Sequence, residues 1–106
     1  MNLGLNDKVI IVTGGAKGIG EGIAKLLASE GAVSVIVGRN EADNIHTVQA
    51  IEAVDGKAFQ VRAELSLPAE CEMAVIKVVE KFGRIDGLVN NAGVNDGVGL
   101  ANGNYE

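Results

Sequence analysis

The sequence predicts an α/β domain in which helices flank both faces of a mostly parallel, doubly wound sheet. Three observations predict it. Short runs of β-branched and aliphatic residues recur along the 106-residue chain, the first of them Val9-Ile10-Ile11-Val12. Segments with a helical apolar period lie between those runs, joined by connections of a few residues. The first run is followed by glycines at 14, 18 and 20 that lead directly into a helix. The alternation β-α-β-α-β-α-β implies right-handed crossovers and a strand order of 3-2-1-4.

The elements follow in order. Residues 8–13 read as a strand buried on both faces. Residues 19–30 read as a helix whose inner face is Ile19, Ile23, Leu26 and Leu27, with Glu21 and Lys25 paired on the outer side. Gly31 stops it. Residues 33–37 form the second strand, and Gly38-Arg39-Asn40 leaves it as a loop. Residues 41–55 read as a second helix, with Ile45, Val48, Ile51 and Val54 near one face and Gly56 at its end. Residues 58–62 alternate more, which suits a strand nearer the sheet edge. Ser66 is expected to cap a third helix that has Pro68 in its first turn, Cys71, Val75, Val78 and Phe82 inside, and Gly83 at its end. Residues 85–90 form the fourth strand, with Asp86 expected to cap a turn. Residues 91–106 show no helical period and hold four glycines and four asparagines. The whole chain reads as one domain, with residues 94–106 as an irregular tail.

Composition narrows the function classes. The chain is 47% apolar but only 3% aromatic, so its core is aliphatic. A net charge of -5 argues against a nucleic-acid surface. Cys71 is the single cysteine, which leaves no internal disulfide and no Cys-x-x-Cys metal pair and fits a cytoplasmic setting. The N-terminus has no basic stretch leading into an apolar one, and no apolar run is long enough to span a membrane. His46 has no ligand-type neighbours in sequence and reads as a surface histidine.

The glycine turn carries the chemistry. A helix N-terminus offers unpaired N–H groups and a partial positive charge, and glycines let a phosphate approach the backbone. Gly15 and Gly20 have P-loop spacing, but Glu21 stands where that motif needs lysine. Gly18 and Gly20 begin a G-x-G-x-x-G pattern that Ile23 interrupts. The pattern present is Thr13-Gly14-x-x-x-Gly18-Ile19-Gly20, with Asn90-Asn91-Ala92-Gly93 after the fourth strand.

These two motifs, separated by β-α-β-α-β-α-β, resemble the T-G-x-x-x-G-[IL]-G and N-N-A-G signatures of the short-chain dehydrogenase/reductase family. The resemblance covers residues 7–95. It implies a Rossmann-type fold and an NAD(P)-dependent oxidoreductase acting between a nicotinamide and a secondary alcohol or carbonyl. By that resemblance Gly14, Gly18, Ile19 and Gly20 line the pyrophosphate site. Asn91, Ala92 and Gly93 run along the adenosine and ribose side. Glu64 stands where the family has an Asp against adenine. Asn95-Asp96-Gly97 is similar to the loop of sugar-oxidising members such as L-fucose dehydrogenase.

Charge at the second strand's end bears on the cofactor. NAD-preferring members of the family carry an acid where this chain has Gly38, with Arg39 next and Lys17 inside the glycine turn. Two cations and no acid favour NADP over NAD. Glu41 or Asp43 could swing in and reverse that preference.

No catalytic residue is assigned. The family's Tyr-x-x-x-Lys is absent, because the only tyrosine is Tyr105 and Glu106 follows it. The chain therefore resembles the N-terminal, cofactor-binding part of an oxidoreductase, and a fragment of a longer enzyme is expected. The fourth strand would be an apolar edge, which suits a homo-oligomer. A non-catalytic nucleotide-binding or assembly module stands as the alternative.

Overall fold

The computed structural model describes residues 4–91. It comprises β1 (Val9–Thr13), α1 (Gly18–Ser29), β2 (Val33–Gly38), α2 (Glu41–Glu52), β3 (Lys57–Arg62), α3 (Pro68–Phe82) and β4 (Gly87–Asn90). The four strands form one parallel sheet in the order β3-β2-β1-β4. Ile11 pairs with Val35 on one side and Leu88 on the other. This is the doubly wound α/β topology expected from the sequence. Ala92, Gly93, the 95–97 loop and the 94–106 tail lie outside the described residues.

The sheet separates two aliphatic cores. Val9, Ile11, Val35 and Val61 meet Ala74 and Val78 of α3 on one face. Ile10, Val12 and Ile36 meet Ala24 and Ala28 of α1 and Ile51 of α2 on the other. The central strands β1 and β2 bury both faces, so their β-branched character has a physical cause. Each fully buried Val or Ile contributes about 1.5–3 kcal/mol of apolar transfer. At the β3 edge, Phe59 and Phe82 stack edge to face with centroids 5.6 Å apart.

Several local expectations need correction. On α1 the buried residues are Gly20, Ala24 and Ala28, with Ile23 and Leu27 partly buried, whereas Ile19 and Leu26 are about 60% exposed. Small side chains win the inner face because the helix starts against the β1 turn. On α2 the buried residues are Asn44, Thr47 and Ile51, while Ile45 and Val54 are exposed and the helix ends at Glu52. On α3 Ala74 and Val78 are buried and Val75 is exposed. Leu67, not Ser66, occupies the cap position of α3, and Pro68 opens the helix. Ser66 Oγ donates instead to Glu64 Oε2 at 3.1 Å. Asp86 lies just before β4 and clips the start of β1: its Oδ2 accepts from Val9 N, and its own N donates to Val9 O, both at 2.8 Å.

Candidate functional site

All four strands end on the same side of the sheet, and the connections there define the site. β1 runs into Gly14, which has φ +67°, and the turn reaches α1 through Gly18 at φ +56°. Both values lie in the left-handed region that glycine enters without strain. Gly14 N donates to Val37 O at 2.9 Å, which ties the turn to β2. Lys17 precedes α1 in extended conformation, and no side chain caps the helix. By contrast, Asn40 caps α2 by accepting from Asp43 N at 3.0 Å.

Gly20 is required for space. A Cβ there would lie 2.1 Å from Gly14 O and 2.6 Å from Asn91 Nδ2. Asn91 closes the same junction from β4. Its buried amide Nδ2 donates to Gly14 O at 3.4 Å, and its backbone N donates to Thr13 Oγ1 at 3.0 Å. Thr13 Oγ1 lies 3.0 Å from Asn90 Oδ1 and 3.3 Å from Val89 O, either of which can take its proton. The two sequence motifs, 77 residues apart, are thus one hydrogen-bonded unit.

Beside this unit a cleft of about 880 Å³ opens over the strand ends, lined among others by Thr13, Gly14, Gly38, Arg39, Glu64 and Asn90. Arg39 is exposed on its wall. Glu64 N donates to Glu70 Oε1 at 2.6 Å, and Arg62 holds the same carboxylate at 3.0 Å while its Nε donates to Arg39 O at 3.1 Å. Lys17 ends the turn, Gly18, Ile19 and Gly20 open α1, and none of the four lines that cleft. The structure therefore brings Gly14, Gly20 and Asn91 into direct contact and sets Arg39 and Glu64 on the cleft. Ala92 and Gly93 fall beyond the described residues.

Lys17 is not an isolated cation. Its Nζ lies 3.2 Å from Asp43 Oδ2. One helical turn further along α2, Thr47 Oγ1 donates to Ala16 O at 3.2 Å. The first half of α2 thereby holds the glycine turn at two adjacent residues. Asn44, between them, donates from Nδ2 to Gly38 O at 3.0 Å and Gln60 Oε1 at 3.1 Å. Neither Asn44 nor Thr47 was singled out from the sequence. The sequence pattern puts Ile45, Val48, Ile51 and Val54 near one face, whereas the fold turns Asn44, Thr47 and Ile51 inward.

Among the described residues no group of His, Cys, Asp and Glu could hold a metal, and no helix is long and apolar enough to cross a membrane. His46 is exposed, and Cys71 is partly buried with Sγ 3.3 Å from Leu65 O.

A family model described as short chain dehydrogenase matches residues 8–105. The chain is 45% identical over 91 residues to an uncharacterised oxidoreductase of Methylorubrum extorquens, covering 85% of this chain and 37% of that protein. Among solved structures it resembles a citronellol catabolism dehydrogenase of Pseudomonas aeruginosa, with a TM-score of 0.82 and 34% identity over 86% of this chain and 38% of the other. It also resembles a metagenomic short-chain oxidoreductase in complex with NADP, with a TM-score of 0.80 and 35% identity over 83% of this chain and 40% of the other. The chain spans between a third and two-fifths of the length of these relatives. Both motifs and the four-stranded sheet that joins them lie inside the matched region, and the chain belongs to the short-chain dehydrogenase family of NAD(P)-binding oxidoreductases.

Proposed function

We propose that the strand-end cleft and its glycine turn bind a nicotinamide dinucleotide, NADP in preference to NAD. The enzyme's reaction would then be hydride exchange between that cofactor and a secondary alcohol or carbonyl. The observation that carries this reading is the interlock of Gly14, Gly20 and Asn91 at the uncapped start of α1. It holds a helix N-terminus, with its N–H groups and partial positive charge, at the carboxyl ends of parallel strands. The surface there suits a pyrophosphate: a Cβ on Gly18 would meet no atom within 4 Å, so bare backbone faces open space.

In this reading Gly14, Gly18, Ile19 and Gly20 hold the pyrophosphate. Asn91, with Ala92 and Gly93, borders the adenosine and ribose, and Glu64 approaches adenine. Arg39 takes the 2′-phosphate, with Lys17 sharing its charge between that group and Asp43. The cofactor supplies the hydride chemistry when bound, while these residues orient it. Family membership favours an oxidoreductase over a non-catalytic module. A homo-oligomer is part of the proposal, and Leu88 of β4 is 63% exposed among the described residues. A cytoplasmic setting agrees with the free thiol of Cys71.

Titration of the chain with NADP and NAD, followed by calorimetry, tests the reading. Arg39→Asp should weaken NADP by roughly ten- to a hundredfold, the value of a charge-assisted contact, and leave NAD almost unchanged. A wild-type chain that binds neither cofactor would overturn the function. Unchanged NADP affinity in the variant would overturn the preference.

A further inference from the structure

We propose that Asn44 is a specificity-determining residue: its buried amide oxygen keeps position 38 without a side chain, so the second strand cannot present an acid to the cofactor's ribose. The inference rests on the dinucleotide reading above and assigns a role to a residue on α2 that borders the cleft only through Gly38.

Gly38 ends β2 and lines the cleft. It is not among the glycines with positive φ, so its backbone would accept other residues. Space is the constraint. A Cβ at position 38 would lie 2.9 Å from Asn44 Oδ1, closer than real Cβ contacts come. Asn44 cannot easily move aside. It is fully buried, and its Nδ2 donates to Gly38 O at 3.0 Å and Gln60 Oε1 at 3.1 Å, with Val61 O at 3.5 Å. Three acceptors around one end fix which end is nitrogen and leave Oδ1 against Gly38.

That oxygen has no hydrogen-bond donor among the described residues. A buried acceptor without a partner is a cost that an apolar side chain of similar volume would avoid. Asn44 uses its two ends differently. It ties the start of α2 to the ends of β2 and β3 through Nδ2, and it reserves the volume over Gly38 through Oδ1. With position 38 bare, Arg39 is the residue that the end of β2 offers to a ribose substituent.

A double-mutant cycle tests this. Gly38→Ala and Asn44→Ala are measured singly and together by thermal unfolding without cofactor. Gly38→Ala should lower the midpoint by roughly 5–10 °C in the native background, the scale of an overpacked site in a domain of this size. Beside Asn44→Ala the same change should cost less than about 2 °C. Asn44→Val, which drops the oxygen but keeps bulk, repeats the comparison if alanine leaves too large a hole. Gly38→Asp with Asn44→Ala should then raise the NAD-to-NADP affinity ratio at least about tenfold over Asn44→Ala alone. Equal costs of Gly38→Ala in both backgrounds would overturn the steric role. An unchanged ratio in the aspartate variant would overturn the link to specificity. Failure of the wild-type chain to bind any dinucleotide would instead reject the functional reading, and the unfolding cycle would still report the packing.

Discussion

Gly20→Ala isolates the requirement that makes the two motifs one unit. The added methyl would sit 2.1 Å from Gly14 O, 2.8 Å from Gly14 C and 2.6 Å from Asn91 Nδ2. The first of these is about 1.4 Å short of ordinary contact at roughly 3.5 Å. Two of the three atoms belong to backbone, which cannot rotate away, and the third is the buried side chain that closes the junction. The start of α1 must therefore retreat from the β1 turn, and overpacking of this kind costs about 1–3 kcal/mol. Gly22, two residues along the same helix, is the internal control. A Cβ there meets nothing within 4 Å, so Gly22→Ala should gain about 0.4–1 kcal/mol from the unfolded-state entropy that glycine loses. The two variants should differ by about 1.4–4 kcal/mol, which is roughly 6 °C or more in thermal midpoint at this size. Circular dichroism melts of wild type and both variants give the comparison, with NADP affinity measured alongside. Midpoints for the two alanines within about 2 °C of each other would refute the interlock.

Two further outcomes follow from the same fold. The bidentate guanidinium of Arg84, and then the Val9 N–H, hold the Asp86 carboxyl below its usual range. A depressed folded-state pKa contributes stability above the unfolded value that is lost as pH falls through the folded one, so Asp86→Asn should flatten the acid limb of midpoint against pH; an unaltered acid limb would count against the clip. On α1, Ala24→Leu should cost about 1–3 kcal/mol because Ala24 is fully buried, while Leu26→Ser should stay within about 0.5 kcal/mol, both read from urea midpoints. Equal effects would restore the larger residues to the inner face.

The contrast between Ala24 and Leu26 shows where reading the sequence works and where it stops. The central strands were legible because burial on both faces favours β-branched runs, unbroken at residues 9–12 and interrupted at 33–37 only by Ser34, whose hydroxyl donates to Ala24 O. Helix positions were legible from their glycine and proline boundaries. Helix faces were not, because a search for an apolar period ranks residues by size. At the α1 start the backbone of the turn lies so close that only Gly20 fits, and Ala24 and Ala28 continue the buried face. Large aliphatic residues such as Ile19 and Leu26 are displaced outward by geometry that the period does not contain.

At the site the same difference separates counting charges from pairing them. The sequence presents Lys17 and Arg39 as two cations near a bare Gly38. In the fold Asp43, in the first turn of α2, meets Lys17 at 3.2 Å. The pair is largely exposed on the lysine side and contributes little to stability. It matters for recognition, since a phosphate approaching Lys17 must share it with a carboxylate. Arg39 makes no ion pair among the described residues and lines the cleft. On the proposed NADP reading, the charge offered to a 2′-phosphate would then rest chiefly on Arg39, which follows Gly38 at the end of β2.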